Sequence, residues 1–206
     1  MVDLRRLIVV LTLVTAVAGV VLALVESVTR APIAAQRRLQ MVRALQAVLP
    51  PVDNAPDTDT VRLVTGHDRK GQALERIFYR GRQGDELRGI AFQVTAPDGY
   101  GGNIDIMVGV DPQGTVTGVA ILRHAETPGL GDKIARSEFT GRFVGKGLDS
   151  ADWRVKKDGG DFDQLTGATI SPRAVVGAIR GGLEFFREHR AEIVDAGKEA
   201  NDDAAR

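Results

Sequence analysis

The chain contains no cysteine among its 206 residues. This absence excludes disulfide bonds, thiolate nucleophiles and iron–sulfur clusters held by cysteine. It suits an oxidising compartment without requiring one. The chain also lacks a surplus of either charge, because Lys and Arg together number 27, as do Asp and Glu. The composition therefore predicts no nucleic-acid partner.

Histidine is scarce, and the glycine motifs of nucleotide-binding folds are missing. His67, His124 and His189 are scattered along the chain without metal-ligand spacing, so we predict no metal site. Neither a Rossmann nor a P-loop fingerprint is present, which predicts that nicotinamide nucleotides bind elsewhere.

A long apolar run lies near the start of the chain. No charged residue occurs from Leu7 to Val25, and as an α-helix this run reaches roughly 28 Å, close to the hydrocarbon thickness of a bilayer. A cleaved signal peptide is the alternative, but its apolar core usually has only about 7–15 residues. We therefore predict a retained transmembrane anchor at residues 1–29. Arg5 and Arg6 precede the run, which predicts a cytoplasmic N-terminus and an extracytoplasmic body.

The next segment, residues 30–60, is predicted to be an amphipathic helix followed by a linker. Pro32 lacks a backbone donor, so we expect it to bend or end the membrane helix. Apolar residues then recur at spacings of three and four, which predicts one helical face. These residues are Leu39, Val42, Leu45, Val48 and Leu49. Pro50 and Pro51 end this helix, and the polar stretch up to Thr60 is a linker by composition.

Four β-strands are predicted in the middle of the chain, at residues 74–80, 87–95, 103–110 and 115–122. The third strand alternates apolar and other residues, so one set of side chains shares a face. This set is Ile104, Ile106, Val108 and Val110. The turn at 111–114 has aspartate first, proline second and glycine fourth, as type I turns prefer. The four strands predict an antiparallel sheet with one buried face.

A long helix is predicted from Pro172 to about His189, with Ser171 as its N-cap. Its apolar stripe is Val175, Val176, Ile179, Leu183 and Phe186. Gly181 and Gly182 should weaken this helix by roughly 1 kcal/mol each, and close packing would explain the pair. A short helical segment is expected near residues 135–143, and residues 193–206 are predicted to be a flexible tail.

Two threonines and a glycine lie just ahead of the long helix, in Thr166-Gly167-Ala168-Thr169. The free backbone donors of the first turn and the positive end of the helix dipole favour a phosphate there. Gly167 and Ala168 leave the backbone unobstructed, while Thr166, Thr169 and Ser171 offer hydroxyls. Threonine and serine are also common helix caps, and the spacing alone leaves both interpretations open.

Three short motifs follow one another along the second half of the chain. Gly99 to Gly102 is GYGG, Glu126 to Gly131 is ETPGLG, and residues 163–171 are Asp-x-x-Thr-Gly-Ala-Thr-x-Ser. In this order they resemble the motifs of FMN-binding domains, the last being the flavinylation motif. Such domains occur in the G subunit of the Rnf electron-transport complex and in the C subunit of the sodium-pumping NADH:quinone reductase. The chain's length and compact linker favour the Rnf G subunit.

The resemblance covers nearly the whole chain and implies an α+β fold. It implies an N-terminal transmembrane helix followed by an FMN-binding domain at residues 61–192, with an antiparallel sheet packed by helices. FMN would be joined to Thr169 by a phosphoester bond. Asp163 and Thr166 would serve recognition, cap the loop, or both, and Gly167, Ala168 and Ser171 would complete the phosphate site. The sequence shows no adjacent base to activate the hydroxyl, so we do not expect self-modification. The resemblance implies a separate flavin transferase that takes FMN from FAD.

The ETPGLG loop is the expected contact for the flavin ring and ribityl chain. Its candidate binding residues are Glu126, Thr127, Pro128, Gly129, Leu130, Gly131 and Lys133. Pro128 and Gly129 would make a tight turn and Leu130 would lie on a ring face, while polar side chains would bond to the ring edges. Glu126 and Lys133 are alternatively a solvated surface pair. Tyr100 is a candidate for stacking on the flavin, and alternatively a core residue.

The resemblance implies an electron-relay subunit of an ion-translocating ferredoxin:NAD+ oxidoreductase in the bacterial inner membrane. Its partners would be the other membrane subunits, and the chain would have no catalytic site of its own. One alternative is a stand-alone, membrane-anchored flavin domain that acts as a sensor or regulator. Another is an anchored domain without a cofactor, in which Thr166 to Thr169 only cap a helix.

Overall fold

The computed structural model describes residues 4–67 and 73–195, which divide into two units after Met41. The first unit is the N-terminal part of helix α1, whose full range is Leu4–Val48. This helix is long and apolar enough to cross a membrane, and its large apolar side chains between Leu7 and Val28 lie exposed. A helix that is apolar on all sides and unburied by protein has the pattern of a membrane span.

Helix α1 runs through Pro32 without ending there. The expectation that the membrane helix ends at Pro32 and that a separate second helix follows was therefore wrong. Proline removes the one hydrogen bond that its nitrogen would donate to the carbonyl of Val28. Ala31, Ala34 and Ala35 surround it, and alanine is the strongest helix former, so the helix continues on both sides.

The second unit is built on five antiparallel strands whose order in the sheet follows the chain. They are β1 (Thr60–His67), β2 (Ala73–Gln83), β3 (Glu86–Gly99), β4 (Gly102–Val110) and β5 (Val116–Arg123). The predicted antiparallel sheet is confirmed, but β1 was missed. This edge strand exposes Val64 and includes Arg62 and Gly66, so its apolar pattern is weak.

One face of the sheet carries the main core beneath helix α3 (Ile170–Glu188). Ile104, Ile106, Val108 and Val110 are fully buried there, as their alternation predicts. The predicted apolar stripe of α3 is also buried. A Cβ on Gly182 would lie 2.6 Å from Val94 and 2.8 Å from Phe92, so close packing explains this glycine, whereas Gly181 faces open space.

The opposite face of the sheet is covered as well, which corrects the prediction of a single buried face. Val48 and Leu49, at the end of α1 and just beyond it, are buried against this face, and Leu45 is buried one turn earlier in the helix. Val48 and Leu49 lie over four strand glycines, here called the glycine seam. The seam comprises Gly81, Gly89, Gly109 and Gly118. A Cβ on Gly109 would overlap the Val48 carbonyl, so this close approach requires glycine.

Residues 50–59, predicted to be a linker, are fastened to strand β2 instead. Asn54 donates to the carbonyl of Arg80 at 2.9 Å and accepts from the backbone of Arg82 at 2.8 Å. Asp59 pairs with the guanidinium groups of both arginines. The segment is polar and rich in proline, but its side chains form hydrogen bonds and ion pairs with strand β2.

Short helices complete the second unit. Helix α2 (Ser137–Thr140) lies between two 3-10 turns, Gly131–Ala135 and Gly141–Phe143, which confirms the predicted helical segment. Helix α4 (Arg190–Asp195) follows α3, and its Ile193 is fully buried. The predicted flexible tail therefore begins too early at 193, and the rest of that prediction, residues 196–206, lies outside the described residues.

Gly109→Ala should lower the free energy of unfolding by about 2 kcal/mol, because the new methyl group meets fixed backbone in the seam. Gly181→Ala is the matched control on open helix surface, and should raise it by roughly 0.5–1 kcal/mol. Denaturant titration of the detergent-solubilised chain, followed by fluorescence of the single tryptophan, measures both. Equal effects of the two substitutions would contradict the close approach.

Candidate functional site

The segment ahead of helix α3 forms a tight turn. The backbone N–H of Ala168 donates to the carbonyl of Leu165 at 3.0 Å, and Gly167 between them has a φ of +81°. Only glycine adopts this conformation without strain, and a type II turn requires it at its third position. The turn places Thr169 directly before the first residue of helix α3.

Thr169, rather than Ser171, is the N-cap residue of α3, because the helix begins at Ile170. The predicted cap was displaced by two positions, since Pro172 is tolerated anywhere in the first turn and not only at its first residue. The backbone N–H groups of Thr169, Ile170 and Ser171 have no partner within the helix at this end. Thr169 is half-buried, so its hydroxyl lies at a boundary between protein and solvent.

Glu126 is buried beneath this turn, with a side chain only 5% exposed. Its Oε1 accepts the backbone N–H of Gly101 at 3.0 Å, and its Oε2 accepts the hydroxyl of Ser171. The alternative that Glu126 belongs to a solvated surface pair is therefore wrong. Through this one carboxylate, the GYGG segment, the ETPGLG loop and the first turn of α3 are joined.

The motif glycines allow the chain to close around this carboxylate. A Cβ on Gly131 would lie 2.6 Å from Oε2 of Glu126 and 2.8 Å from the hydroxyl oxygen of Ser171. A Cβ on Gly99 would lie 2.8 Å from Oε1, and one on Gly101 would overlap the backbone of Ala125. These glycines are needed for close approach and not only for turning.

A cavity of about 300 Å³ opens between the loop and the turn. It brings together nine of the predicted site residues. They are Tyr100, Glu126, Thr127, Leu130, Gly131, Gly167, Ala168, Thr169 and Ser171. Ile170 also lines the cavity and was not predicted, although an apolar residue exposed at a helix start is a usable signal. Leu130 lies close to the turn, since a Cβ on Gly167 would come within 3.1 Å of its side chain.

Tyr100 is 70% exposed, so the alternative that it is a core residue is wrong. Five predicted residues do not line the cavity. They are Pro128, Gly129, Lys133, Asp163 and Thr166. Gly129 has a φ of +77°, as expected for the tight turn that it was predicted to make with Pro128.

Asp163 lies in an ion-pair cluster that braces the segment leading to the turn. Its carboxylate is 2.7 Å from Nζ of Lys156 and 3.4 Å from the guanidinium of Arg142. The hydrogen bond from Lys156 holds the pKa of Asp163 below its ordinary value. A second pair, Asp158 with Arg173, fastens the same region to helix α3 at 2.7 Å. Both pairs are exposed, so they orient the segment more than they stabilise the fold.

Comparison with known proteins identifies the family of this chain. A family model described as "FMN-binding domain" matches residues 99–184, which include all three motifs. The G subunit of the "Ion-translocating oxidoreductase complex" of Aliivibrio fischeri strain MJ11 is 39% identical over 193 residues, covering 90% of this chain and 91% of the relative. The chain belongs to the family of G subunits of ion-translocating oxidoreductase complexes.

Two solved structures show the same fold at low identity. The C subunit of Na(+)-translocating NADH-quinone reductase from Parabacteroides distasonis matches with a TM-score of 0.54 and 15% identity, covering 75% of this chain and 91% of that one. NqrC of Shewanella oneidensis matches with a TM-score of 0.50 and 21% identity, covering 72% of each chain. The expected α+β fold is thereby confirmed, as is the preference for the G-subunit family.

Proposed function

We propose that this chain carries FMN as a phosphoester on Thr169 and relays electrons as a subunit of a membrane-bound, ion-translocating ferredoxin:NAD+ oxidoreductase. The observation that carries the proposal is the position of Thr169, which precedes the first residue of helix α3, makes no capping hydrogen bond with its side chain and lines the cavity between the three motifs. The description of the matching family and the names of the relatives supply the cofactor and the kind of complex.

The start of α3 suits a phosphate. Three backbone N–H groups lack helical partners there, and the helix dipole favours negative charge at this end. Gly167 and Ala168 bring the backbone to the cavity without bulky side chains. A phosphoester on the Thr169 hydroxyl would hold its remaining oxygens close to these donors.

The cavity also has the character of a flavin site. Leu130, Ile170 and Tyr100 give it apolar and aromatic walls, and all three side chains are substantially exposed. Its volume of about 300 Å³ lies at the small end of the range for ligand pockets. A flavin held here would remain partly open to solvent, which suits exchange of electrons with a partner domain.

Attachment by a separate enzyme fits the surroundings of Thr169. A threonine hydroxyl is a weak nucleophile at neutral pH unless a base removes its proton. Glu126 is the acidic side chain of the cavity wall, and both of its oxygens are already bonded to Gly101 and Ser171. We infer that a flavin transferase supplies the base. The hydroxyl oxygen of Thr169 would bond to the FMN phosphorus of FAD, AMP would leave, and the proton would pass to the transferase.

FMN, when bound, accepts and releases electrons singly or in pairs, so it can connect carriers of both kinds. The chain's own residues would retain the cofactor and exclude water from one side of it. A covalent bond makes retention independent of the free flavin concentration, which matters outside the cytoplasm. We propose that helix α1 anchors the domain in the bacterial inner membrane, with the N-terminus cytoplasmic because Arg5 and Arg6 precede the span.

The relay interpretation is favoured over a stand-alone sensor. The match to the G subunit extends over 90% of this chain and 91% of that relative, which favours the organisation of a complex subunit over that of an isolated domain. The proposed partners are the other membrane subunits of the complex and the flavin transferase.

Thr169→Val should abolish covalent flavin and leave the fold intact, because it keeps the side-chain shape and removes the oxygen. Thr169→Ser, which keeps a hydroxyl, should retain it. Each chain is produced with its flavin transferase and its intact mass is measured, one FMN less one water being the expected increase. Covalent flavin on the valine variant would overturn the assignment of Thr169, and unmodified wild-type chain would overturn covalent attachment.

Affinity purification of the full chain from native membranes in mild detergent should recover polytopic membrane subunits with it. Mass spectrometry of the purified material identifies these subunits. Recovery of the chain alone, from membranes that express the complex, would favour the stand-alone alternative.

Protease added to intact spheroplasts should degrade the domain that follows helix α1, because we place that domain outside the cytoplasm. Inverted membrane vesicles provide the control, in which the domain should be protected until detergent is added. The opposite pattern, detected with an antibody to the domain, would reverse the proposed orientation.

A further inference from the structure

We propose that Glu126 tunes the reduction potential of a flavin held in the cavity. Its buried carboxylate charge lowers the reduction potential of a flavin held there, and the hydroxyl of Ser171 moderates that charge. This inference rests on the proposed function, and it assigns Glu126 an electrostatic role in addition to its structural one.

The position of Glu126 gives the charge a direct influence on the cavity. The side chain lines the cavity, yet only 5% of it is exposed. Both oxygens accept hydrogen bonds, from the backbone of Gly101 and the hydroxyl of Ser171, which is the arrangement of an ionised carboxylate. Among residues 4–67 and 73–195, the hydrogen-bond donors to this carboxylate are one backbone N–H and one hydroxyl. Its partners are neutral, so the charge is not cancelled.

A negative charge in the cavity wall opposes the arrival of further negative charge. Reduction brings electrons into the cavity, and a carboxylate that is shielded from water acts on them through a low effective dielectric. The positive end of helix α3 lies nearby and offsets this effect only in part, since a helix end carries about half an elementary charge. Charges close to a flavin are among the main means by which a protein tunes it.

Ser171 opposes this effect at the same carboxylate. Its hydroxyl donates to Oε2 of Glu126 and is buried with it, so the bond draws charge away from that oxygen. Ser171 was expected to offer its hydroxyl to a phosphate, but in this structure the hydroxyl serves the carboxylate. Glu126 and Ser171 therefore shift the reduction potential of a flavin in the cavity in opposite directions.

A purely structural role predicts a different result. If Glu126 only fastens the three motifs, a substitution that keeps its shape and hydrogen-bond acceptor should leave the reduction potential unchanged. Glu126→Gln is such a substitution, because the amide oxygen still accepts one of the two bonds while the charge is removed. Ser171→Ala does the reverse, since it keeps the charge and removes one donor to it.

The experiment is a potentiometric titration of the full chain in detergent, loaded with FMN by its transferase and checked by intact mass. Glu126→Gln should shift the reduction potential to more positive values, raising the ratio of reduced to oxidised flavin at a fixed solution potential on the order of tenfold. Ser171→Ala should shift it to more negative values. Opposite shifts support the proposal.

An unchanged or lowered reduction potential in Glu126→Gln, or shifts of the same sign in both variants, would overturn the proposal. If Glu126→Gln does not retain flavin, Ser171→Ala decides the matter, because only a negative shift in that variant supports a charge that it moderates. If the wild-type chain carries no flavin, the proposed function itself fails, which distinguishes that outcome from failure of the inference alone.

Discussion

The functional site depends on one buried carboxylate and the three chain segments that close around it. Glu126 accepts hydrogen bonds from Gly101 and Ser171, which lie 25 and 45 residues away in sequence. A buried carboxylate is costly unless its oxygens are bonded, so these segments must meet if the domain is to fold. The three motifs are consequently one structural unit, and the cavity and the position of Thr169 follow from their junction.

The sequence predicted those parts of the structure in which local periodicity reflects burial. Ile104 and Ile106 alternate along β4, and Val175 and Ile179 recur along α3, and all four are buried as expected. The resemblance to FMN-binding domains also placed the right segments together, and Thr169 lies on the cavity wall. These successes share a cause, because regular spacing on a strand or a helix determines which side chains face the core.

The remaining features depend on partners that are distant in the sequence. The loop that contains Glu126 is rich in threonine, proline and glycine, which is the composition of a solvated turn. Glu126 becomes a buried acceptor only because Gly101 and Ser171 approach it. A Ser-Pro pair is a common helix start, yet the preceding turn moves the start to Ile170. Glycine within a strand is consistent with a bulge, a bend or the close approach of another backbone, so Gly109 alone did not identify the helix end that packs against it.

The glycine seam has a practical consequence for the boundaries of the domain. Val48 and Leu49 lie at the end of helix α1 and just beyond it, but they form part of the folded domain because they cover the seam. In a soluble fragment that began at residue 61, this face of the sheet would be uncovered, and other chains could bind to it. The C-terminal end of helix α1 is therefore part of the folded domain, and a boundary drawn after it would remove one layer of the fold.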